Sequence, residues 1–438
     1  MGLTNTSNRV MVLLTGDVMT GRGVDQILRH PSEPGLHEPA VRDARTYVEL
    51  AEAQSGPIPR KVDDAYVWGD ALEALERIPS DGRIVNLETS ITRSDAYWPG
   101  KGVHYRMHPD NIGCLTGARI DVCALANNHV LDYGRAGLLE TLETLEKAGV
   151  KTAGAGRTLE EARRPATVGR ADGGRVVIIA FGAESSGIRP GWAATEDRPG
   201  VDLLPDLSDA TAGEIGKRVE RVKRPLDVAV ASVHWGENWG YDVPPAHVRF
   251  ARRLIDAGLD IVHGHSSHHP RPIEVYKHRL ILYGCGDFVD DYEGIAGYEA
   301  YRDDLVLMYF ASLTPAGELE RLRMVPLQHR RLRLTRASAV DTEWLRDTLE
   351  RVSGEFGTRV ELEADGALLV EPGTATHRPR PLAWIAPARP RTARRARGRC
   401  AGRPCGAWSV PRVDTSRNRR REGREDRPWP LASHARPT

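Results

Sequence analysis

Four histidines fall within seven positions in Ile261-Val262-His263-Gly264-His265-Ser266-Ser267-His268-His269-Pro270, just past a short apolar run. Imidazole is a common ligand of divalent metal ions, and a turn at a strand end can aim two or three rings at one point. Other apolar runs in the chain finish on residues that bind metals or move protons. Residues 10–14 lead to Gly16-Asp17, 83–87 to Glu88, 120–125 to Asn127-Asn128-His129, and 227–233 to His234-Trp235. Carboxylates mixed with imidazoles suit Mn, Fe or Zn better than Mg or Ca, which prefer all-oxygen shells. The set is Asp17, Glu88, Asn128, His234, His265 and His268, more donors than one tetrahedral zinc requires. Two ions about 3.5–4 Å apart can share a carboxylate and clamp an oxygen during a displacement. Taken singly, each has a plain reading: Asp17 as a turn cap, Asn127 and Asn128 as turn residues, His234 as a satisfied core histidine. The ordered series at successive strand ends is what points to chemistry.

Residues this far apart meet only if regular elements bring them together. The runs at 10–14, 83–87, 120–125, 227–233 and 261–262 read as short strands buried on both faces. Between them, 134–148 places Leu138, Leu139, Leu142 and Leu145 at helical spacing, and 245–257 does so with Val248, Phe250, Ala251, Leu254 and Ile255. Strands alternating with helices predict an α/β fold with much parallel sheet, whose ligands gather at the carboxyl ends of the strands. Farther on, 279–282 runs into Gly284-Cys285-Gly286-Asp287, 304–313 reads as a strand with 319–326 as its partner, and 341–351 as a helix. Two inserts interrupt the pattern. The first, 30–64, is rich in Pro, Glu and Arg and predicts a surface excursion. The second, 92–108, carries Tyr97, Trp98, Lys101, His104, Tyr105 and Arg106, and suits either contact with an anionic substrate or a packed surface loop. Arg22, His104, Tyr105 and Arg106 are the candidate substrate-binding residues.

Composition narrows the classes further. The chain of 438 residues carries a net charge of +1, which gives no sign of nucleic-acid binding. That balance hides an asymmetry: residues 373–438 hold about 17 Arg and no Lys, so the rest of the chain is acidic. The Arg/Pro-rich segment offers no apolar periodicity and predicts disorder, with a basic arm for an acidic polymer as the functional alternative. Cys114, Cys123, Cys285, Cys400 and Cys405 form no disulfide framework or zinc spacing. No apolar run reaches the roughly 18 residues of a spanning helix and no leader pattern is present, so a soluble, cytoplasmic protein is expected.

Several of these segments together resemble the capsule-synthesis CapA (poly-gamma-glutamate) family. They are Gly16-Asp17-Val18-Met19, Asn86-Leu87-Glu88-Thr89, 126–134 with Asn127-Asn128-His129 and Asp132, His234-Trp235-Gly236, and Gly264-His265-Ser266-Ser267-His268. Gly284-Cys285-Gly286-Asp287-Phe288 stands where that family usually has a Leu-Gly-Asn-Phe turn. The family is similar to calcineurin-like metallophosphoesterases, and the resemblance implies a four-layer α/β/β/α sandwich with a dinuclear site. It implies Asp17 and His268 on a first metal, Glu88 bridging, and Asn128, His234 and His265 on a second. His129 would assist the departing group, with Asp132 holding its tautomer. Two departures stand out: Met19 occupies a position where a His ligand is usual, and the second His of the last motif comes one residue later.

The sequence thus predicts a metallophosphoesterase-like domain over 9–335, a C-terminal extension over 336–372 and a disordered tail over 373–438. The resemblance implies a metal-dependent hydrolase or transferase of poly-gamma-glutamate (capsule) biosynthesis, using one or two divalent ions (Mn, Fe or Zn). Metal-bound hydroxide would attack a phosphoester or γ-glutamyl bond of an anionic small molecule or polyglutamate. The alternative is a non-catalytic binding component of a polymer synthesis or export assembly, in contact with other capsule-synthesis proteins.

Overall fold

The computed structural model describes residues 9–372, so the tail expected to be disordered lies outside the described residues. Two stacked sheets form the centre. The first runs, in spatial order, through Glu361–Leu362, Leu368–Val370, Leu319–His329, Leu305–Leu313, Val10–Val18, Gly82–Leu87, Val122–Ala124 and Lys151–Ala153. From Val10–Val18 to Lys151–Ala153 the strands are parallel, while Leu305–Leu313 lies antiparallel to Val10–Val18. The second sheet runs through Ile273–Tyr276, Arg279–Leu282, Ile261–His265, Val228–His234, Arg175–Gly182 and Ala166–Gly169. Its four middle strands are parallel.

Alternation of side chains builds the layers. Val10, Val12 and Leu14 face one way and pack with Val176, Ile178, Val228, Val230 and Ile261 of the second sheet. Leu13, Val85 and Cys123 face the other way, onto Leu138, Leu142 and Leu145 of the helix Gly134–Lys147. Behind the second sheet, Ala229, Ala231 and Val233 meet the helices Asp209–Val222 and Pro245–Asp256 through Ile215, Val219, Phe250 and Leu254. The result is an α/β/β/α sandwich. Both sets of parallel strands point their carboxyl ends at the same edge.

The strands at 10–14, 83–87, 120–125, 227–233 and 261–262 are all present, but two extend further than expected. Val10–Val18 continues through Asp17, and Ile261–His265 continues through both of its first histidines. The strand Arg175–Gly182, next to the edge strand Ala166–Gly169, is absent from the sequence reading; it ends on Gly182, without a side chain that suggests chemistry. The insert at 30–64 is more than an excursion. It contains the helix Arg45–Ser55, and Leu36, Val41, Ala44 and Tyr47 form a small core of their own. Residues 336–372 add the helix Ala339–Ser353, whose Leu345, Leu349 and Val352 join the core between the sheets, and a strand, Leu368–Val370, paired with Leu319–His329.

Candidate metal centre

The site forms where the carboxyl ends of both sheets meet. Between Leu14 and Asp17 the first strand bulges against its neighbour: Leu14 pairs with Ile84 and Asp17 with Asn86, so two residues oppose one. The bulge contains Gly16, where a Cβ would lie 1.7 Å from the Gly286 carbonyl oxygen, so only glycine fits. The close approach lets the Asp17 N–H donate to that carbonyl at 3.0 Å and sets Asp17 beside Asp287 on the short parallel strand Asp287–Val289. On the other side, Ser266 holds a φ of 100°, a costly conformation for a side chain, and its N–H donates to Asp17 Oδ2 at 3.1 Å.

Two groups of donor atoms converge here, each within 4.8 Å: Asp17 with His234 and His265, and Asp17 with His268 and Asp287. All five residues are buried. Asp17 belongs to both groups. Glu88 stands in neither, although Asn86 Nδ2 links it to Asp17, 3.5 Å from Glu88 Oε2 and 2.7 Å from Asp17 Oδ1, and its Oε1 lies 3.7 Å from His129 Nε2 and 3.8 Å from His234 Nε2. Asn128 touches the first group through His234, whose Nε2 is 2.9 Å from Asn128 Oδ1. His269 turns away, with Nδ1 3.1 Å from the Pro270 carbonyl and its ring stacked on Tyr301.

A chain of amides fixes which atoms face the centre. Asn127 Oδ1 accepts from the backbone N–H groups of His129 and Val130, so its Nδ2 is the donor to Leu87 O and to Asn86 Oδ1. Asn86 therefore turns its Nδ2 inward, donating to Asp17 Oδ1 at 2.7 Å and lying 3.5 Å from His234 Nδ1. His234 Nε2 lies 2.9 Å from Asn128 Oδ1, and its Nδ1 sits 2.8 Å from His265 Nδ1.

Beside the triads, His129 forms a separate cluster. Its Nδ1 is 2.6 Å from Asp132 Oδ2 and 2.9 Å from Lys101 Nζ, and Lys101 also pairs with Asp132 Oδ1. Asp132 Oδ2 accepts from the Tyr105 N–H at 2.7 Å, and the Tyr105 ring edge packs on His129 with centroids 4.4 Å apart. Lys101 arrives on the 92–108 loop, held by Trp98 N–H on the Asp132 carbonyl and by Trp98 packed on Trp192.

Burial sets the electrostatics. Withdrawal from water pushes Asp17 up to about 6, against the opposing pull of the Asn86 hydrogen bond. It pushes Glu88 and Asp287 well above the usual carboxylate range, helped in both by the charge of Asp17. The same desolvation lowers His129, His234, His265 and His268, leaving neutral rings able to act as ligands. Three crowded carboxyls and converging imidazole nitrogens form a donor set that a divalent cation fits, because its charge would offset theirs and its open positions would accept their lone pairs.

The four candidate substrate residues are differently placed. Arg22 is buried and paired with Asp291 and Glu38, its Nη2 2.5 Å from Asp291 Oδ1. Arg106 is bound to Asp95, to the Ser94 carbonyl at 3.0 Å and to the Glu33 carbonyl at 3.2 Å. His104 Nε2 is 2.8 Å from the Trp98 carbonyl, and Tyr105 Oη is 2.8 Å from Tyr292 Oη. Of the four, Tyr105 packs on His129. Sequence reasoning left Asp287 without a role and did not set Lys101 among the site residues. Asp287 carried a signal, a carboxylate in a Gly-rich turn after a strand; a lysine in an irregular loop gave none.

The family of bacterial capsule synthesis protein PGA_cap matches residues 11–292. A probable polyglutamine synthesis accessory protein of Mycobacterium tuberculosis (strain ATCC 25618 / H37Rv) is 53% identical over 365 residues, covering 83% of this chain and 96% of its own length. PGA biosynthesis protein CapA of Bacillus subtilis (strain 168) is 28% identical over 312 residues, 70% of this chain and 68% of the relative. Among solved structures, a 5'-nucleotidase precursor from Thermus thermophilus aligns with a TM-score of 0.42 and 14% identity, over 73% of this chain and 54% of that one. The family match takes in every residue of both triads and of the His129 cluster, and the chain belongs to the bacterial capsule synthesis PGA_cap family.

Proposed function

We propose that this chain is a metal-dependent hydrolase or transferase that acts on a glutamyl polymer, or on an activated precursor of one, during capsule-type polymer synthesis. The observation that carries the reading is the pair of buried donor triads sharing Asp17. Asp17, His234 and His265 would hold one ion, and Asp17, His268 and Asp287 the other, with Mn, Fe or Zn as the classes the donors favour. Glu88 and Asn128 stand next to His234 and would complete the coordination. Bound ions would supply Lewis acidity at the phosphoryl or carbonyl oxygen of the group under attack and a nucleophile at neutral pH. The polymer is suggested by the names of the relatives, which refer to polyglutamine and PGA synthesis.

The chain's own residues account for proton handling. Asp132 grips His129 at Nδ1 and leaves Nε2 directed toward Glu88 and the triads. From there Nε2 exchanges a proton with the departing group. Lys101 sets the Asp132 carboxylate in place and adds positive charge where negative charge develops on that group. Trp98 packs on Trp192, whose ring centroid lies 5.5 Å from Lys101 Nζ, on one side of this cluster.

The test uses the full chain with a panel of phosphomonoesters, phosphodiesters and γ-glutamyl amides, before and after EDTA, with Mn, Fe or Zn restored. Turnover of one class, abolished by EDTA and by His234→Ala or His265→Ala, is the expected result. The word "accessory" in the mycobacterial relative's name favours a second reading, a binding component of the synthesis assembly. In that case no class turns over, and His234→Ala leaves capture of polyglutamate or of partner proteins intact.

A further inference from the structure

Adjacent to the first triad lies a second pair of buried polar residues that bind nothing in the triad except His265. Ser232 and His263 are Cα partners on neighbouring parallel strands, two residues before His234 and His265, which are partners in turn. Period-two alternation places all four side chains on the same face, toward the first sheet. His263 crosses that gap: its Nε2 is 2.7 Å from the Thr15 carbonyl. The carbonyl is out of ladder register because Thr15 lies in the bulge that also contains Gly16.

We propose that Ser232 and His263 are positioning residues that lock the His265 imidazole in one tautomer, with Nδ1 bare toward His234 and Asp17. The direction of the relay follows from its anchor. A carbonyl can only accept, so His263 must carry its proton on Nε2. Fully buried, with a carbonyl and a hydroxyl as partners, the ring stays neutral and its Nδ1 is an acceptor. The Ser232 hydroxyl donates to it at 3.1 Å. With its only proton committed, Ser232 Oγ accepts from His265 Nε2 at 2.9 Å. That leaves His265 Nδ1 without a proton, the acceptor of the 2.8 Å contact with His234 Nδ1 in the metal-free chain, and 4.0 Å from Asp17 Oδ1.

The relay fixes one role for each nitrogen of His263 and a donor and an acceptor role for Ser232 Oγ, and at its end His265 Nδ1 offers a lone pair to the donor set. Its consequence for metal binding rests on the function proposed above; the tautomer itself does not. A partner that fixes the tautomer of a ligating histidine commonly contributes ten- to a hundredfold in metal affinity. Ser232→Ala removes the hydroxyl, leaves His263 Nδ1 and His265 Nε2 unsatisfied, and allows the His265 proton to move to Nδ1. Ser232→Thr keeps the hydroxyl on the same backbone.

The experiment is long-range 1H–15N correlation of the metal-free full chain labelled in histidine, with His265 assigned by the resonance lost in His265→Asn. Zn2+ titration of the wild-type, Ser232→Ala and Ser232→Thr chains accompanies it. Wild-type His265 should be protonated on Nε2 alone, Ser232→Ala should lose that state and bind Zn2+ ten- to a hundredfold more weakly, and Ser232→Thr should restore both. Wild-type His265 protonated on Nδ1, or unchanged tautomer and affinity in a folded Ser232→Ala chain, would overturn the proposal. If the wild-type chain binds no Zn2+, the metal reading fails, and the wild-type tautomer still decides the relay. If Ser232→Ala does not fold, the wild-type tautomer and the Ser232→Thr titration decide it.

Discussion

Asp17 and Asp287 are Cα partners on adjacent parallel strands, two buried carboxylates side by side with His268 completing the group. Met19 lies just beyond, buried, with Sδ 3.8 Å from Tyr292 Oη, and Tyr292 packs edge-on to His268. A thioether is a poor ligand for hard divalent ions. Asp287 supplies the third donor to this triad where the side chain at position 19 does not. Asp287→Asn should weaken one of two metal equivalents by at least about tenfold, while Met19→His added to it should recover part of the loss. Calorimetric titration with Mn2+ or Zn2+ of the single and double variants measures both effects. The unmodified triad, with Met19 in place, should be the weaker site.

Lys101 is the next test, because its ammonium touches both His129 and Asp132 without belonging to either triad. Lys101→Met should leave metal stoichiometry unchanged and lower kcat by roughly a hundredfold or more, the usual scale for disrupting a positioned acid–base group. The comparison that matters is kcat against KM. A loss confined to KM would place Lys101 in ground-state binding instead.

Arg22 makes a different prediction from a catalytic-site arginine. Its guanidinium pairs with Asp291 and Glu38 in a fully buried cluster that also takes in Tyr47. Removing one partner of such a cluster strands buried charge and typically costs about 3–5 kcal/mol. Arg22→Met should therefore lower the denaturation midpoint sharply, with metal affinity of the surviving folded chain little changed. A variant of full stability that has lost only substrate binding would return Arg22 to the substrate site.

A buried ion pair between His329 and Asp290, with N to O at 3.1 Å, predicts a pH dependence of stability. Burial lowers the His329 pKa, but Asp290 outweighs it and raises the group from 6.5 to about 9. The folded chain thus holds a proton that the unfolded chain releases. The stabilisation is complete below pH 6.5 and is lost as pH rises toward 9, an effect on the order of 3 kcal/mol. Denaturant titrations at pH 6 and pH 9 should show this fall in the wild-type chain, and His329→Gln should flatten it.

How much of this was legible in the sequence depends on the kind of signal. Strands buried on both faces read as continuous apolar runs, so 10–14, 83–87 and 227–233 were visible, as was the order in which Asp17, Glu88, His129, His234 and His265 follow them. The strand Arg175–Gly182 is as apolar but ends on glycine, and a search guided by reactive strand ends passes over it. The sharing of Asp17 between two triads depends on a bulge and on the approach of Gly286, which are properties of strand register across 270 residues of chain and have no local pattern. Arg22 and Arg106 look like anion contacts because arginine often is one; their partners Asp291, Glu38 and Asp95 lie in segments whose proximity only the fold reveals. The relay through Ser232 and His263 was hidden for the same reason, since a serine inside an apolar strand reads as a small buried residue.

A two-ion centre in which Asp17 serves both ions would be read out by the metal content of the full chain. Elemental analysis after incubation with Mn, Fe or Zn and removal of excess should find close to two ions per wild-type chain. His234→Ala and Asp287→Asn should each lose one, and Asp17→Asn should lose both, because Asp17 is the one side chain common to the two triads. A correctly folded wild-type chain that retains no transition metal, or an Asp17→Asn chain that keeps the full complement, would rule out a shared Asp17 centre.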